Sequence, residues 1–185
     1  MKTLFIEKEF LYDGTQLTSL FAYRNFGVLG NSVISWVGEC SVSFEHMVDY
    51  EDFRAQEKIC GKKMLHFIFE LFDKDLAHAV LLQRLFAAIA HYEMQQSILS
   101  SQFEREGDDL YFKEGKLSIS IASSSPVSQM IHFAVNITNL GTPVKTSSLE
   151  DLNINPKEIS MKLMEKVSQE YLSVIEATQK VKPLK

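Results

Sequence analysis

Two groups of side chains in this sequence have the types and spacing to do chemistry. The first centres on Lys116, in Asp109-Leu110-Tyr111-Phe112-Lys113-Glu114-Gly115-Lys116-Leu117-Ser118-Ile119-Ser120. Residues alternate in polarity on both sides of Glu114-Gly115, which predicts a β-hairpin whose second strand opens with the lysine. A lysine ammonium is a compact charge that stabilises oxygen charge developing at a carbonyl or phosphate in a water-poor groove. The second group is Glu45-His46-Met47-Val48-Asp49, with Asp52 close behind. Imidazole and carboxylates suit a divalent metal or an acid–base pair. Glu45, His46 and Asp49 are therefore the candidate metal ligands, although no recognised motif such as H-E-x-x-H is present and a solvated acidic loop is the competing reading.

Strand side chains alternate between faces. Continuing the hairpin outward, Leu117, Ile119 and Ile121 point one way and Lys116, Ser118 and Ser120 the other. In the next strand Ile131, Phe133, Val135 and Ile137 group together, opposite His132, Ala134 and Asn136. Antiparallel pairing of the two predicts an apolar face under helices and a polar face with Ser118, Ser120, His132 and Asn136 around the lysine. Small polar residues about one cation leave room for an anionic or carbonyl-bearing ligand. An ordinary solvated face would look the same. His66 and Glu70 share one face of an apolar strand and are expected as a buried pair. Cys40 and Cys60 form no metal motif and read as free thiols.

These residues need a scaffold. Leu4 to Ile6 and Phe10 to Tyr12 read as short strands, Leu17 to Phe26 as a helix stopped by Gly27, and Ser32 to Val37 as a strand. Residues 39–63 read as an irregular acidic stretch, with Glu45, Asp49, Glu51, Asp52 and Glu57. Met64 to Phe72 is apolar on both faces, as in a central strand. Asp73-Lys74-Asp75 predicts a helix start. The helix from Leu76 to about Leu99 is expected to bury Leu81, Leu82, Leu85, Ala88, Ile89 and Tyr92. Met130 to Thr138 is a further strand. The last helix has Asn155 as cap, Pro156 at its first position and Glu158 for a capping box, with Ile159, Leu163, Val167, Tyr171 and Val174 buried. The expected fold is α+β: a largely antiparallel mixed sheet, helices on one face, the other open to a ligand.

A chain of 185 residues, 45% hydrophobic, buries one sizeable core and is most simply one domain over 1–185, with 178–185 a frayed tail. A formal charge of −5 without a basic stripe argues against nucleic acid. Charges interrupt the first nine residues where a signal peptide needs an apolar run, and no segment is long and apolar enough for a bilayer, so a soluble cytoplasmic protein is expected. The expected partner is a small molecule; a homodimer is compatible with this kind of sheet.

Asp109, Leu110, Lys116, Leu117 and Ser118 resemble the D-[IL]-x-x-x-x-x-K-[ILV]-[AS]-G segment of biotin and lipoate protein ligases. Phe133-Ala134-Val135-Asn136 stands where that family has G-I-x-x-N, without the glycine, and Thr146-Ser147-Ser148-Leu149 resembles its T-S-L segment with one extra serine. The whole chain, through Phe21-Ala22-Tyr23-Arg24, Glu45-His46-Met47-Val48-Asp49 and Met64-Leu65-His66-Phe67, resembles an uncharacterised family, domain of unknown function 366, placed structurally with class II synthetase and biotin-ligase folds. The resemblance implies that Lys116 contacts a substrate carboxylate and the phosphate of an acyl-adenylate, and that ATP with Mg²⁺ is the cofactor. It implies an acyl-adenylate ligase or acyltransferase acting on a small carboxylate or acyl substrate. The alternatives are a non-catalytic binding module and a metal-assisted enzyme using the Glu45–Asp49 loop. Two departures stand out. The biotin-ligase GRGRRG-type loop is replaced by the acidic stretch, and only Arg24-Asn25-Phe26-Gly27 faintly resembles the R-R-x-x-G-G of lipoate ligases, making Arg24 a candidate phosphate contact. Octanoyl transferases place a nucleophilic cysteine after the matching asparagine strand, and no cysteine follows Cys60 here.

Overall fold

The computed structural model describes all residues except 57, 73, 99–101 and 185. Asp73 and Leu99, expected at the two ends of the long helix, and Glu57 of the acidic stretch lie outside the described residues. Eight strands and four helices follow in the order β1 (Lys2–Ile6), α1 (Phe21–Phe26), β2 (Ser32–Val42), α2 (Tyr50–Ala55), β3 (Ile59–Leu71), α3 (Leu76–Ser97), β4 (Phe103–Glu106), β5 (Asp109–Phe112), β6 (Gly115–Lys116), β7 (Ser118–Ser124), β8 (Gln129–Asn136) and α4 (Pro156–Gln179). The main sheet has the order β1-β2-β3-β8-β7, and β4-β5-β6 make a small second sheet. Only β1 with β2 is parallel; the other ladders are antiparallel. The fold is α+β, a mixed sheet with helices packed on it.

Both long helices start as their sequences direct. The Asp75 carboxylate accepts from the His78 N–H at 2.8 Å, and the Asn155 side-chain Oδ1 accepts from Lys157 N and Glu158 N at 3.0 and 3.1 Å. They pack on one sheet face. Phe86 of α3 sits edge-on against Phe67, Phe69 and Phe133 at centroid distances of 5.0, 4.9 and 5.1 Å. Ile159, Leu163 and Val167 of α4 join the same core. The buried face of α3 differs from the expected one: Ala79, Leu82, Gln83, Phe86, Ala87, Ala90, Glu93 and Met94 are buried, whereas Leu81 and Tyr92 are 67% and 59% exposed. The helix is apolar on more than one side, so hydrophobic spacing does not select the face; the wedge of Phe86 into three sheet phenylalanines does. Val174 of α4 is likewise exposed.

The opposite sheet face is also covered in large part. Ile34, Trp36, Met64, Ile68, Met130 and Ala134 pack against Tyr12, Phe21 and Ala22 of the N-terminal segment. Of the expected strand Phe10–Tyr12, only an isolated bridge between Tyr12 and Cys40 forms. Phe10 is instead drawn tight against β2, its ring stacked on Trp36 at 4.4 Å and its carbonyl accepting from Trp36 Nε1 at 3.0 Å. A Cβ on Gly38 would collide with that carbonyl, so glycine is needed there. A register shift between Gly38 and Cys40 bends β2 and lets it continue to Val42, paired with a β3 that already begins at Ile59. The irregular acidic stretch is thereby shorter than expected. Among the described residues, no helix is long and apolar enough to cross a membrane.

Candidate functional site

The hairpin is present, with its turn one residue earlier than expected. Lys113 takes the left-handed conformation (φ 56°), and β6 pairs with β5 through Tyr111–Lys116 and Phe112–Gly115. At Leu117 the chain leaves the small sheet, and from Ser118 it pairs with β8. Lys116 is the last residue before that transfer, and its backbone is held from several sides. Its N–H donates to the Lys145 carbonyl at 3.2 Å, and its carbonyl accepts from Ser147 N at 3.1 Å and Asn136 Nδ2 at 3.1 Å.

The transfer reverses the expected faces of β7. Ser118 pairs with Val135 and Ser120 with Phe133, on the helix-covered side; Ile119 pairs with Ala134 and Ile121 with His132. Period-two alternation holds within one continuous strand, and the break at Leu117 resets it. Ser118 is buried and its Oγ accepts from Leu110 N at 2.9 Å. Ser120 receives Gln83 Nε2 of α3 at 2.7 Å and donates to Asp108, and as expected it also lines the same cavity as Lys116. Asn136 faces away from the helices, but its amide is spent on the Lys116 and Ser147 carbonyls. It positions the lysine backbone.

A cavity of about 260 Å³ opens on the sheet face away from α3 and α4. Lys116 and the acidic stretch meet in it. Lys116, Asp108 and Asp109 line it together with His46, Asp49 and Asp52 of the acidic stretch, and Tyr12 and His132 line it from the sheet floor, with Ile119, Ile121, Ile59 and Val42 as apolar neighbours. Lys116 is about one-third exposed, and its Nζ donates to Asp109 Oδ2 at 2.7 Å. Burial works against the ammonium, but the hydrogen bond and charge of Asp109, with Tyr111 and Asp108 nearby, raise its pKa above the usual lysine value. Asp108 is bridged by Arg84 at 2.9 Å. Four carboxylates thus line the cavity, and Lys116 is the one lysine or arginine among its described lining.

Glu45, His46 and Asp49 are not drawn together as ligands. Glu45 is exposed and lies outside the cavity lining, His46 Nδ1 is 3.3 Å from Ser43 Oγ, and Asp49 caps α2 by accepting from Glu51 N at 2.7 Å. Among the described residues, no group of three or more His, Cys, Asp or Glu is placed to hold a metal ion. Arg24 is exposed on α1 and does not line the cavity. Cys40 is buried, and burial pushes its thiol up to about 12, so it is no nucleophile at neutral pH.

His66 and Glu70 are both buried but are not a pair. Glu70 accepts from Leu20 N at 2.6 Å and Ser128 Oγ at 2.8 Å. His66 lies 3.1 Å from His132, Nδ1 to Nε2, and its own Nε2 lies 3.3 Å from the Gly38 carbonyl. Tyr12 stacks on His132 at 3.6 Å. Tyr12 and Asp108 are site residues that spacing did not single out. Tyr12 reaches the floor only because its segment folds back over β2, and Asp108 stands outside the alternation of the hairpin.

A family model described as a domain of unknown function (DUF366) matches residues 1–182. An uncharacterised protein of Methanocaldococcus jannaschii is 32% identical over 182 residues, 95% of this chain and 80% of its own. A solved protein of unknown function from Pyrococcus horikoshi shares 39% identity with a TM-score of 0.93, covering 100% of this chain and 99% of that one. The biotin protein ligase of Aquifex aeolicus is similar in fold at 15% identity and a TM-score of 0.61, over 95% of this chain and 71% of the ligase. That enzyme has also been solved in complex with biotin and ATP. A putative lipoate protein ligase from T. acidophilum with bound lipoic acid matches with a TM-score of 0.54 at 11% identity, over 91% of this chain and 86% of that one. The main sheet and its helices therefore have the biotin/lipoate-ligase catalytic-domain fold.

Proposed function

The chain belongs to the DUF366 family, and from that premise we propose that its groove binds a small carboxylate or acyl compound and that the protein acts on it as an acyltransferase- or acyl-adenylate-ligase-like enzyme. The supporting observation is the position of Lys116 at the wall of a small cavity with apolar residues beside it. An ammonium has three donors, and Asp109 takes one, leaving two for a carboxylate or carbonyl oxygen. Close to apolar side chains, that charge stabilises an oxyanion more than it would in water. Asn136 and the Ser147 N–H hold the Lys116 backbone, which keeps the ammonium in place.

Adenylation would draw on ATP with Mg²⁺, which supplies a phosphate leaving group when bound. The lining does not fit a triphosphate: four carboxylates stand against one lysine already paired with Asp109, and Arg24 lies elsewhere. That charge balance favours a second reading, a small-ligand-binding module without adenylation. Titration calorimetry with octanoate, lipoate and biotin, each with and without ATP and Mg²⁺, tests the primary reading. One of the carboxylates should bind, and Lys116→Ala should weaken it by about tenfold or more, the loss of a charge-assisted contact. Equal affinity in the variant rejects the role of Lys116. Pyrophosphate release on adding ATP separates a ligase from a module.

A further inference from the structure

Two buried histidines lie beside the cavity, and one of them, His132, is in its lining. His66 on β3 and His132 on β8 point to the same sheet face, since Ile68 pairs with His132 and His66 with Ala134. Both rings are buried. They sit in an aromatic stack, with Trp36 against His66 at 5.1 Å and Tyr12 against His132 at 3.6 Å. Among the described residues neither ring is hydrogen-bonded to a carboxylate. Burial lowers His66 to about 3 and His132 well below the ordinary histidine value, so both rings are neutral.

Neutrality and one fixed partner determine both tautomers. A backbone carbonyl only accepts, so His66 Nε2, 3.3 Å from the Gly38 oxygen, carries the proton. His66 Nδ1 is then a lone pair, and His132 Nε2, 3.1 Å away, must donate to it. The proton on His132 is thereby committed to Nε2, and its Nδ1 is a bare acceptor on a residue that lines the cavity. We propose that the Gly38 carbonyl, His66 and His132 form a hydrogen-bond relay that presents His132 Nδ1 as the acceptor for an N–H donor of the ligand. This rests on the proposed carboxylate or acyl ligand of Lys116 and narrows it to one carrying an amide, lactam or ring N–H in addition to its charged oxygen. An ester or thioether in that place has no hydrogen to give. A desolvated lone pair left unmet lowers affinity, which is how a buried acceptor discriminates.

Two measurements test the assignment. Ring ¹⁵N–¹H correlation spectra of the unliganded protein at neutral pH should show both His66 and His132 protonated on Nε2 only. An Nδ1–H tautomer or a charged ring at His132 overturns the relay. The ligand class is then probed with pyroglutamate, a lactam carboxylate, and with the γ-lactone carboxylate of the same ring size, which has oxygen in place of N–H. The lactam should bind about tenfold more tightly and shift the His132 Nδ1 resonance. His132→Phe, which keeps a ring to stack on Tyr12, should reduce the lactam to the affinity of the lactone. Equal binding of the two probes rejects the His132 assignment and leaves Lys116 standing. Lactam affinity that is unchanged in Lys116→Ala rejects Lys116 and leaves His132 standing. Binding of neither probe rejects both. Should His132→Phe fail to fold, the wild-type spectra and the probe pair still decide.

Discussion

The two faces of the same sheet are built on different principles. Under α3 and α4 the core is phenylalanine and aliphatic, with Phe86 edge-on to Phe67, Phe69 and Phe133. Its polar groups are satisfied internally, as in Ser160 Oγ donating to Ser35 Oγ at 2.7 Å and Glu93 paired with Lys162 at 2.7 Å. On the other face, Trp36, Tyr12, His66 and His132 stack flat, and the stack ends at a cavity. The first face is held mainly by apolar burial and tolerates no gap. The second is held by burial plus a chain of hydrogen bonds that fixes which nitrogen carries a proton. The difference teaches where specificity can reside: a dry apolar interlock stabilises, whereas a neutral polar stack can read a ligand.

That contrast can be broken most sharply in the apolar interlock. Phe86→Ala should cost about 3–5 kcal/mol in denaturant unfolding, because its ring contacts three sheet phenylalanines and the cavity left cannot collapse. A loss below about 1 kcal/mol would show that the helix-covered face is not the main source of stability. Acid should act on the other face. Both histidines are neutral in the fold but bind protons below about 6.5 once unfolded, so the unfolded chain binds more protons and stability falls as the pH drops. The slope approaches about 1.4 kcal/mol per pH unit for each ring, continuing toward 3, where His66 itself titrates. In pH-dependent melts, His132→Phe should remove about half of that slope; an unchanged slope would place the protonation elsewhere. The smallest expected effect sharpens the boundary between the faces. Ser118→Ala should cost roughly 1–2 kcal/mol by orphaning the buried Leu110 N–H. It should leave ligand affinity unchanged, and a loss of affinity would put Ser118 back on the groove side.

Much of the scaffold was legible. The caps Asp75 and Asn155, the stop at Gly27 and the apolar run of β3 are local signals, and each appears where its residues lie; the hairpin also forms, with its turn one residue before the expected Glu114-Gly115. The resemblance around Lys116 pointed to the ligase-like fold. The failures share one physical cause, that alternation and spacing are read along the chain while faces are set across it. Parity carried through Leu117, where the strand changes sheets, puts Ser118 on the groove side, whereas it is buried against the Leu110 N–H; Ser120 still reaches the cavity lining. Leu81 and Tyr92 of α3 were assigned by hydrophobicity on a helix whose orientation depends on the groove that receives Phe86. Phe10 was assigned to a strand, but Trp36 Nε1 and Gly38 hold its carbonyl instead.

The sequence by itself determined where both long helices start, that Lys116 follows the hairpin turn, and that acidic residues gather between β2 and β3. These follow from caps, turn residues and charge, which act over a few residues. Only the tertiary structure decided that Lys116 and Asp49 look into one cavity, that Tyr12 closes its floor, and that His66 bonds His132 and not Glu70. Those relations join positions far apart in the chain. They depend on sheet order, on one register shift at Gly38, and on a side-chain stack that exists only when both faces of the sheet are covered.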